Sequence, residues 1–163
     1  MDLESVRKAY ARWSKFYDLV FGPAFTSARR KAIRMLELER GDRVLEVGVG
    51  TGLSFPFFPD DVEVVGIDIS REMLRRARPR ARETASAVLL GDVAHLPFRS
   101  DSFDAIFAPY VVSAVPDPVA MLREVGRVGK EGARVVLVNH FVSGNPILAR
   151  LERAISPTTS RLA

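Results

Sequence analysis

The sequence predicts an α/β fold: one domain spanning residues 1–163, with a mostly parallel, twisted sheet covered by helices on both faces. Three observations lead there. Short β-branched runs alternate with helical stretches, the first run passes directly into a glycine-rich turn, and an acid follows each of the next two runs, Asp68 and Asp92.

The elements follow in order. From Leu3 to about Phe21 the apolar residues Leu3, Val6, Tyr10, Trp13, Tyr17 and Val20 keep the three- and four-residue steps of one helical face. Glu4, Lys8, Arg12 and Lys15 lie opposite, and Gly22-Pro23 breaks the pattern. A second helix is expected from Phe25 to about Leu38, and Arg40-Gly41-Asp42 turns the chain into the sheet. Strands are predicted at Arg43 to Val47, Glu63 to Ile67, Ala87 to Leu90, Phe103 to Phe107 and Arg134 to Val138. Between them helices are expected over 52–58, shortened by Pro56 and Pro59, over 70–83, and over 118–128, started by Pro116-Asp117-Pro118.

Composition narrows the chemistry. Apolar residues are 47% and charged residues 27% of the chain, ordinary values for a folded soluble protein. There is no cysteine, which removes disulfides, thiol nucleophiles and thiolate metal sites and fits a reducing compartment; two histidines are too few for a histidine metal site. No metal is expected. The start, Met1-Asp2-Leu3-Glu4, lacks a secretory pattern, and no window reaches the apolar length of a membrane span. The net charge of +4, mostly arginine, favours anionic partners without choosing among them.

The strongest signal is Val44-Leu45-Glu46-Val47-Gly48-Val49-Gly50-Thr51-Gly52, a buried strand entering a glycine-rich turn where a ligand can approach the backbone. A dinucleotide loop would read Gly-x-Gly-x-x-Gly, but Leu53 holds the third glycine position and glycine falls one residue early, at Gly52. Glu46, just ahead of the loop, disfavours a pyrophosphate and tolerates a cationic ligand. Asp68, at the carboxyl end of the second strand, can accept both ribose hydroxyls of an adenosine or cap the helix that follows. Asp92, after the third strand, is suited to accept from an adenine amine.

At these residues the sequence resembles the class I S-adenosylmethionine-dependent methyltransferases, whose E-x-G-x-G-x-G loop and two strand-terminal acids form a cofactor site. The resemblance covers about Arg43 to Asn139 and implies a Rossmann-like methyltransferase fold binding S-adenosylmethionine. It implies that Glu46 contacts the methionine end, that Gly48, Gly50, Thr51 and Gly52 pass against the cofactor, that Asp68 holds the ribose and Asp92 the adenine, and that Ile69 and Val93 pack on the base. Leu96-Pro97-Phe98 with Asp101-Ser102-Phe103-Asp104 is similar to the linker between the third and fourth strands of that class.

Methyl transfer from a sulfonium is an in-line displacement, so alignment and water exclusion are the main demands on the protein. Ala108-Pro109-Tyr110-Val111-Val112, after the fourth strand, should border the reacting methyl. Tyr110 reads either as an acceptor-binding side chain or as a core tyrosine, and His140 either as a base for an amine acceptor or as a hydrogen-bonded structural histidine. His95 reads as an edge residue. Ala108-Pro109-Tyr110 is only partly similar to the Asn/Asp-Pro-Pro-Tyr loop of amino-adenine methyltransferases, and with no separate recognition element a nucleic-acid substrate is not expected.

The segment from Val6 to Asp18, together with Leu45 to Ser54, resembles the bacterial phospholipid N-methyltransferases, which methylate phosphatidylethanolamine stepwise toward phosphatidylcholine. The resemblance implies that Tyr17 reaches the cofactor and that residues 1–21 act as a lid. Independently, a helix with Tyr10, Trp13 and Tyr17 on one face and basic flanks suits an anionic bilayer interface, though the same stripe could pack on the sheet. The expectation is a cytoplasmic protein held peripherally at the inner face of the membrane. The alternative is a C-methyltransferase of ubiquinone or menaquinone biosynthesis, a class with the same cofactor motifs and an early Tyr-Asp pair. Methyltransferases of this class continue past the fifth strand with a helix, which Asn145 to Ile155 can supply, and an antiparallel hairpin, for which no residues remain. The hairpin is therefore expected to be absent from this chain.

Overall fold

A computed structural model describes residues 26–84 and 86–139. The expected helix at 1–21 with Tyr17, the segment from His140 onward and the question of the hairpin lie outside the described residues. A helix, α1, covers residues 26–34; its buried positions Arg29, Ala32 and Ile33, continued by buried Leu36 in the turn that follows, keep the i, i+3, i+4, i+7 spacing of one helical face. The five strands are β1 (Arg43–Val47), β2 (Glu63–Asp68), β3 (Ala87–Leu90), β4 (Phe103–Pro109) and β5 (Gly129–Val138). They lie in the order β3-β2-β1-β4-β5, every neighbouring pair parallel. The chain runs outward from β1 in one direction through β2 and β3 and in the other through β4 and β5. Such a reversal opens a crevice at the carboxyl ends of the two central strands.

Alternation along β1 assigns the faces. Leu45 and Val47 join the core beneath α3 (Pro118–Val128), with Ile106, Met121 and Val125. Val44 points the other way, to the core shared by α1 and α2 (Arg71–Glu83), with Ile33, Leu74 and Phe107. Glu46 has the same parity as Val44, so the pleat turns its carboxyl toward the α1 side. Helix starts are chemically marked. Ser70 Oγ accepts from the Met73 N–H and Asp117 Oδ1 from the Ala120 N–H, each satisfying a donor that the first turn leaves open.

Several boundaries differ from expectation. The stretch 52–58 is not an α-helix but a single 3-10 turn, Phe55–Phe57; Pro56 lacks a donor, Pro59 follows, and the Ser54 side chain makes no capping bond. The second helix ends at 34 rather than near Leu38, and Glu37 adopts φ 47°. β5 begins at Gly129, not Arg134. The register passes from Phe103↔Gly129 to Ala105↔Arg134, and Gly132 at φ 76° absorbs the surplus residues in an irregularity that alternation alone does not reveal. β2 and β4 also run on to Asp68 and Pro109.

Candidate cofactor cleft

β1 ends in a loop tied to its neighbour, since the Gly48 and Val49 N–H groups both donate to the Ile67 carbonyl of β2. Gly48 stands at φ 72°, and a Cβ there would fall 2.6 Å from Cγ2 of Val111, so this crossing of the two loops requires a bare α-carbon. Around it opens a cleft bordered by the carboxyl ends of β1 and β2 and by the residues that follow β3 and β4. The loop contributes Gly48, Gly50 and Thr51; β1 contributes Glu46; the ends of β2 and β3 contribute Asp68 and Ile69, Asp92 and Val93; Tyr110 and Val111 close the far side.

Gly52, expected to pass against a cofactor, does not line the cleft. A Cβ at Gly52 would come within 2.9 Å of the Phe55 ring and 3.2 Å of Ala77, so this glycine lets the turn pack on α2. Ala108 and Val112, expected beside Pro109, Tyr110 and Val111, likewise lie outside the lining. His95 is an exposed neighbour of Asp92, its Nδ1 3.7 Å from Oδ2.

The acids differ in their surroundings. Asp68 accepts at Oδ1 from the Ser70 N–H and at Oδ2 from the Gly50 N–H, each at 2.8 Å. Burial raises its pKa, and these backbone donors oppose the rise. It therefore orders the start of α2 without being its cap, the role that Ser70 takes. Asp92 accepts from the Ala94 N–H at 2.9 Å. Glu46 is 1% exposed, and its pKa is pushed up to about 8, chiefly by burial; a Ser54 hydrogen bond and the Arg29 charge pull it down, and Asp68 pushes it further up.

Glu46 Oε2 is buried and has no hydrogen-bond partner among the described residues. An orphaned buried carboxyl oxygen costs free energy until a donor reaches it, and an ammonium is the donor that suits it best. The orphaned oxygen of Glu46 and the two strand-end carboxylates of Asp68 and Asp92, all lining one cleft, fit an amino-acid nucleoside. Among the described residues no cluster of His, Asp or Glu could hold a metal, and no helix is long and apolar enough to cross a membrane.

Residues 45–137 match the family model described as "Methyltransferase domain". The chain belongs to this family. Its fold is the Rossmann-like fold of class I methyltransferases, and the cofactor of that class is S-adenosylmethionine. This methyltransferase domain is similar to the phosphatidylethanolamine N-methyltransferase of Cereibacter sphaeroides, 41% identical over 160 residues that cover 96% of this chain and 78% of that protein. It is also similar to the 2-phytyl-1,4-naphtoquinone methyltransferase of Synechococcus elongatus, 35% identical over 77% of this chain and 57% of that one. Among solved structures it superposes on the YcgJ protein of Bacillus subtilis with a TM-score of 0.68 and 31% identity, covering 78% of this chain and 56% of that one. The chain thus spans little more than half the length of the latter two.

The sequence reading missed Arg29. It is buried, it lines the cleft, and its guanidinium lies 5.3 Å from the Tyr110 ring centroid. The available signal was its place in line with Ala32, Ile33 and Leu36, an arginine on an otherwise apolar face.

Proposed function

We propose that this methyltransferase domain transfers methyl groups from S-adenosylmethionine to the amine headgroup of phosphatidylethanolamine and its mono- and dimethyl forms. The observation that carries the reading is the 41% identity to a phosphatidylethanolamine N-methyltransferase across 96% of the chain. When bound, S-adenosylmethionine supplies an electrophilic methyl group on a sulfonium. The chain's own residues bind and orient. Asp68 and Asp92 hold the ribose and adenine, Ile69 and Val93 pack on the base, and Glu46 receives the ammonium. Tyr110 and Val111, past the end of β4, border the reacting centre and exclude water from it. In this reading Tyr110 borders the acceptor, Tyr17 of the N-terminal segment reaches the cofactor as part of a lid, and His140 is the candidate to take the proton that the amine loses. Residues 3–21 would rest on an anionic membrane surface, holding a cytoplasmic enzyme at the inner face of the membrane.

A second reading, C-methylation of a quinone precursor, draws on the 35% identity to the naphthoquinone enzyme. Transfer of labelled methyl from S-adenosylmethionine to liposomes containing phosphatidylethanolamine, with and without anionic lipid, separates the two. Labelled phospholipid, absent with Asp68→Ala, supports the lipid reading. Label appearing only in a demethylated quinone replaces it with the second.

A further inference from the structure

The two helices on the α1 side of the sheet carry an unbalanced charge. Over residues 26–34 and 71–83 there are ten basic residues and two acids, Glu72 and Glu83, in a chain whose totals are 24 and 20. On α2 the exposed cations Arg71, Arg75, Arg78 and Arg82 follow one another at four-, three- and four-residue steps, so they line one outward face for about 16 Å. α1 adds exposed Arg30, Lys31 and Arg34 in the same layer. Like charges at these spacings oppose a helix, and Arg71 sits in the first turn, where the helix dipole also disfavours a cation. Glu72 answers one of these charges, 3.4 Å from Arg75. A stripe that works against its own helix is accounted for by an extended polyanion laid along it.

Acids take the opposite edge. Glu37 and Glu39 precede β1, and Asp60 and Asp61 precede β2, all exposed at the amino ends of the strands. Both helices instead begin beside the cleft, because Arg29 of α1 and Ser70, the cap of α2, line it. The field of the domain is thus positive along the α1–α2 face and turns negative at the edge remote from the cleft. We propose that this face docks on an anionic lipid bilayer, with Arg71, Arg75, Arg78 and Arg82 laid against the headgroups and the acidic edge held away. The proposal rests on the phospholipid reading and adds to residues 3–21 a second contact, on the folded domain, that fixes which way the cleft faces. A bilayer suits the stripe because cations along one straight helix face meet a plane together, and arginine takes phosphate oxygens in pairs. A nucleic acid fits less well, since α2 carries no aromatic side chain on which a base could stack.

Binding of the full chain to vesicles tests this, with phosphatidylcholine alone compared with an equal mixture of phosphatidylcholine and phosphatidylglycerol. A basic residue close to an anionic bilayer contributes about fivefold in partitioning, so Arg78→Gln with Arg82→Gln should weaken binding to the mixed vesicles by about 5- to 25-fold. Arg99→Gln with Arg123→Gln removes the same charge from the α3 side and should change binding by less than about twofold. R78K with R82K should bind as wild type does. S-adenosylhomocysteine affinity within about twofold of wild type shows each variant folded. In wild type itself, mixed vesicles should shield Arg78 and Arg82 from phenylglyoxal and leave the labelling of Arg99 and Arg123 unchanged. Equal losses in the two glutamine pairs would reduce the effect to net charge and overturn the proposal, and so would unshielded Arg78 and Arg82. An α2 pair that weakens binding to duplex RNA and leaves vesicle binding intact would overturn it in favour of a nucleic acid. If R78Q with R82Q fails to fold, the labelling pattern decides. Methylation separates this proposal from the phospholipid reading. The α2 pair should keep wild-type turnover of phosphatidylethanolamine in neutral detergent micelles and lose it in mixed vesicles. Wild type that methylates phosphatidylethanolamine in neither overturns the phospholipid reading, while vesicle binding and labelling still judge the docking face.

Discussion

The backbone N–H of Gly50 donates to Oδ2 of Asp68 at 2.8 Å, joining the glycine loop after β1 to the end of β2. The other oxygen of the same carboxylate takes the Ser70 N–H at the start of α2. Two oxygens offer about four acceptor sites, so both backbone bonds can persist while the ribose hydroxyls bind. Asp68→Ala strips the cleft of both functions and leaves two partly buried N–H groups unpaired. S-adenosylhomocysteine affinity should fall by about 100-fold or more, and the melting temperature by about 3 to 10 °C. Asp68→Asn keeps the shape and one acceptor, so its melting temperature should drop less than that of D68A. Titration and scanning calorimetry read the two effects separately, and wild-type affinity in D68A would remove Asp68 from the ribose.

Gly50 and Gly52 sit two residues apart with similar φ, 57° and 77°, but in different surroundings. A Cβ at Gly50 meets nothing within 4 Å, and the residue lines the cleft. Gly50→Ala should therefore lose only about 1 kcal/mol of stability, from its left-handed backbone, while weakening cofactor binding by about tenfold or more. Gly52→Ala drives a methyl into Phe55 and Ala77, and the overpacking adds about 1–3 kcal/mol. Its loss should appear first as thermal instability. A reversed pattern, with G50A unstable and G52A deficient only in binding, would refute this division of labour.

The cleft was legible where chemistry and position coincide in sequence. Val44 to Val47, Glu63 to Ile67 and Ala87 to Leu90 are apolar enough to read as strands, and the carboxyl ends of parallel strands converge, so Glu46, Asp68 and Asp92 fall together without further information. What escaped depends on packing between elements. An arginine on a helix reads as solvent-facing, and only the placement of α1 above β1 turns Arg29 inward. Gly52 looks identical to Gly50 in the motif; α2 behind it, through Ala77, makes it a packing residue. The bulge at Gly132 hid the first half of β5 because it interrupts the period that marks a strand.

Tyr110 adopts φ 58°, a left-handed backbone unusual for an aromatic residue, and its N–H donates to the Val138 carbonyl at 2.6 Å. Such a conformation costs about 1–3 kcal/mol and persists because its surroundings impose it; here it sets the ring under Arg29 at the edge of the cleft. Tyr110→Phe retains the ring and removes the hydroxyl. S-adenosylhomocysteine affinity should stay within about twofold, while kcat/KM for the amine acceptor should fall by about tenfold or more, as loss of a hydroxyl that orients the acceptor predicts. Unchanged turnover in Y110F would reduce Tyr110 to a packing residue.

Glu46 links the cleft to pH. Its pKa rises from 4.5 to about 8 on folding, so between those values the folded chain holds a proton that the unfolded chain has lost. Unfolding free energy must then decrease as pH rises through that window, by roughly 1 kcal/mol per pH unit at the steepest. Asp68 is shifted in the same direction and adds to the slope, so the contribution of Glu46 is the difference between wild type and Glu46→Gln. E46Q should show a flatter stability profile and a higher melting temperature than wild type above about pH 8. Cofactor binding should run the opposite way. An ammonium favours ionised Glu46, so wild-type affinity for S-adenosylhomocysteine should rise with pH from about 6 to 8 with release of a proton, which titration in buffers of different ionisation enthalpy detects. In E46Q both the proton release and much of the affinity should disappear. A Glu46 already ionised in the ligand-free fold would show neither signal, and the orphaned oxygen could then not be the reason the cleft selects a cation.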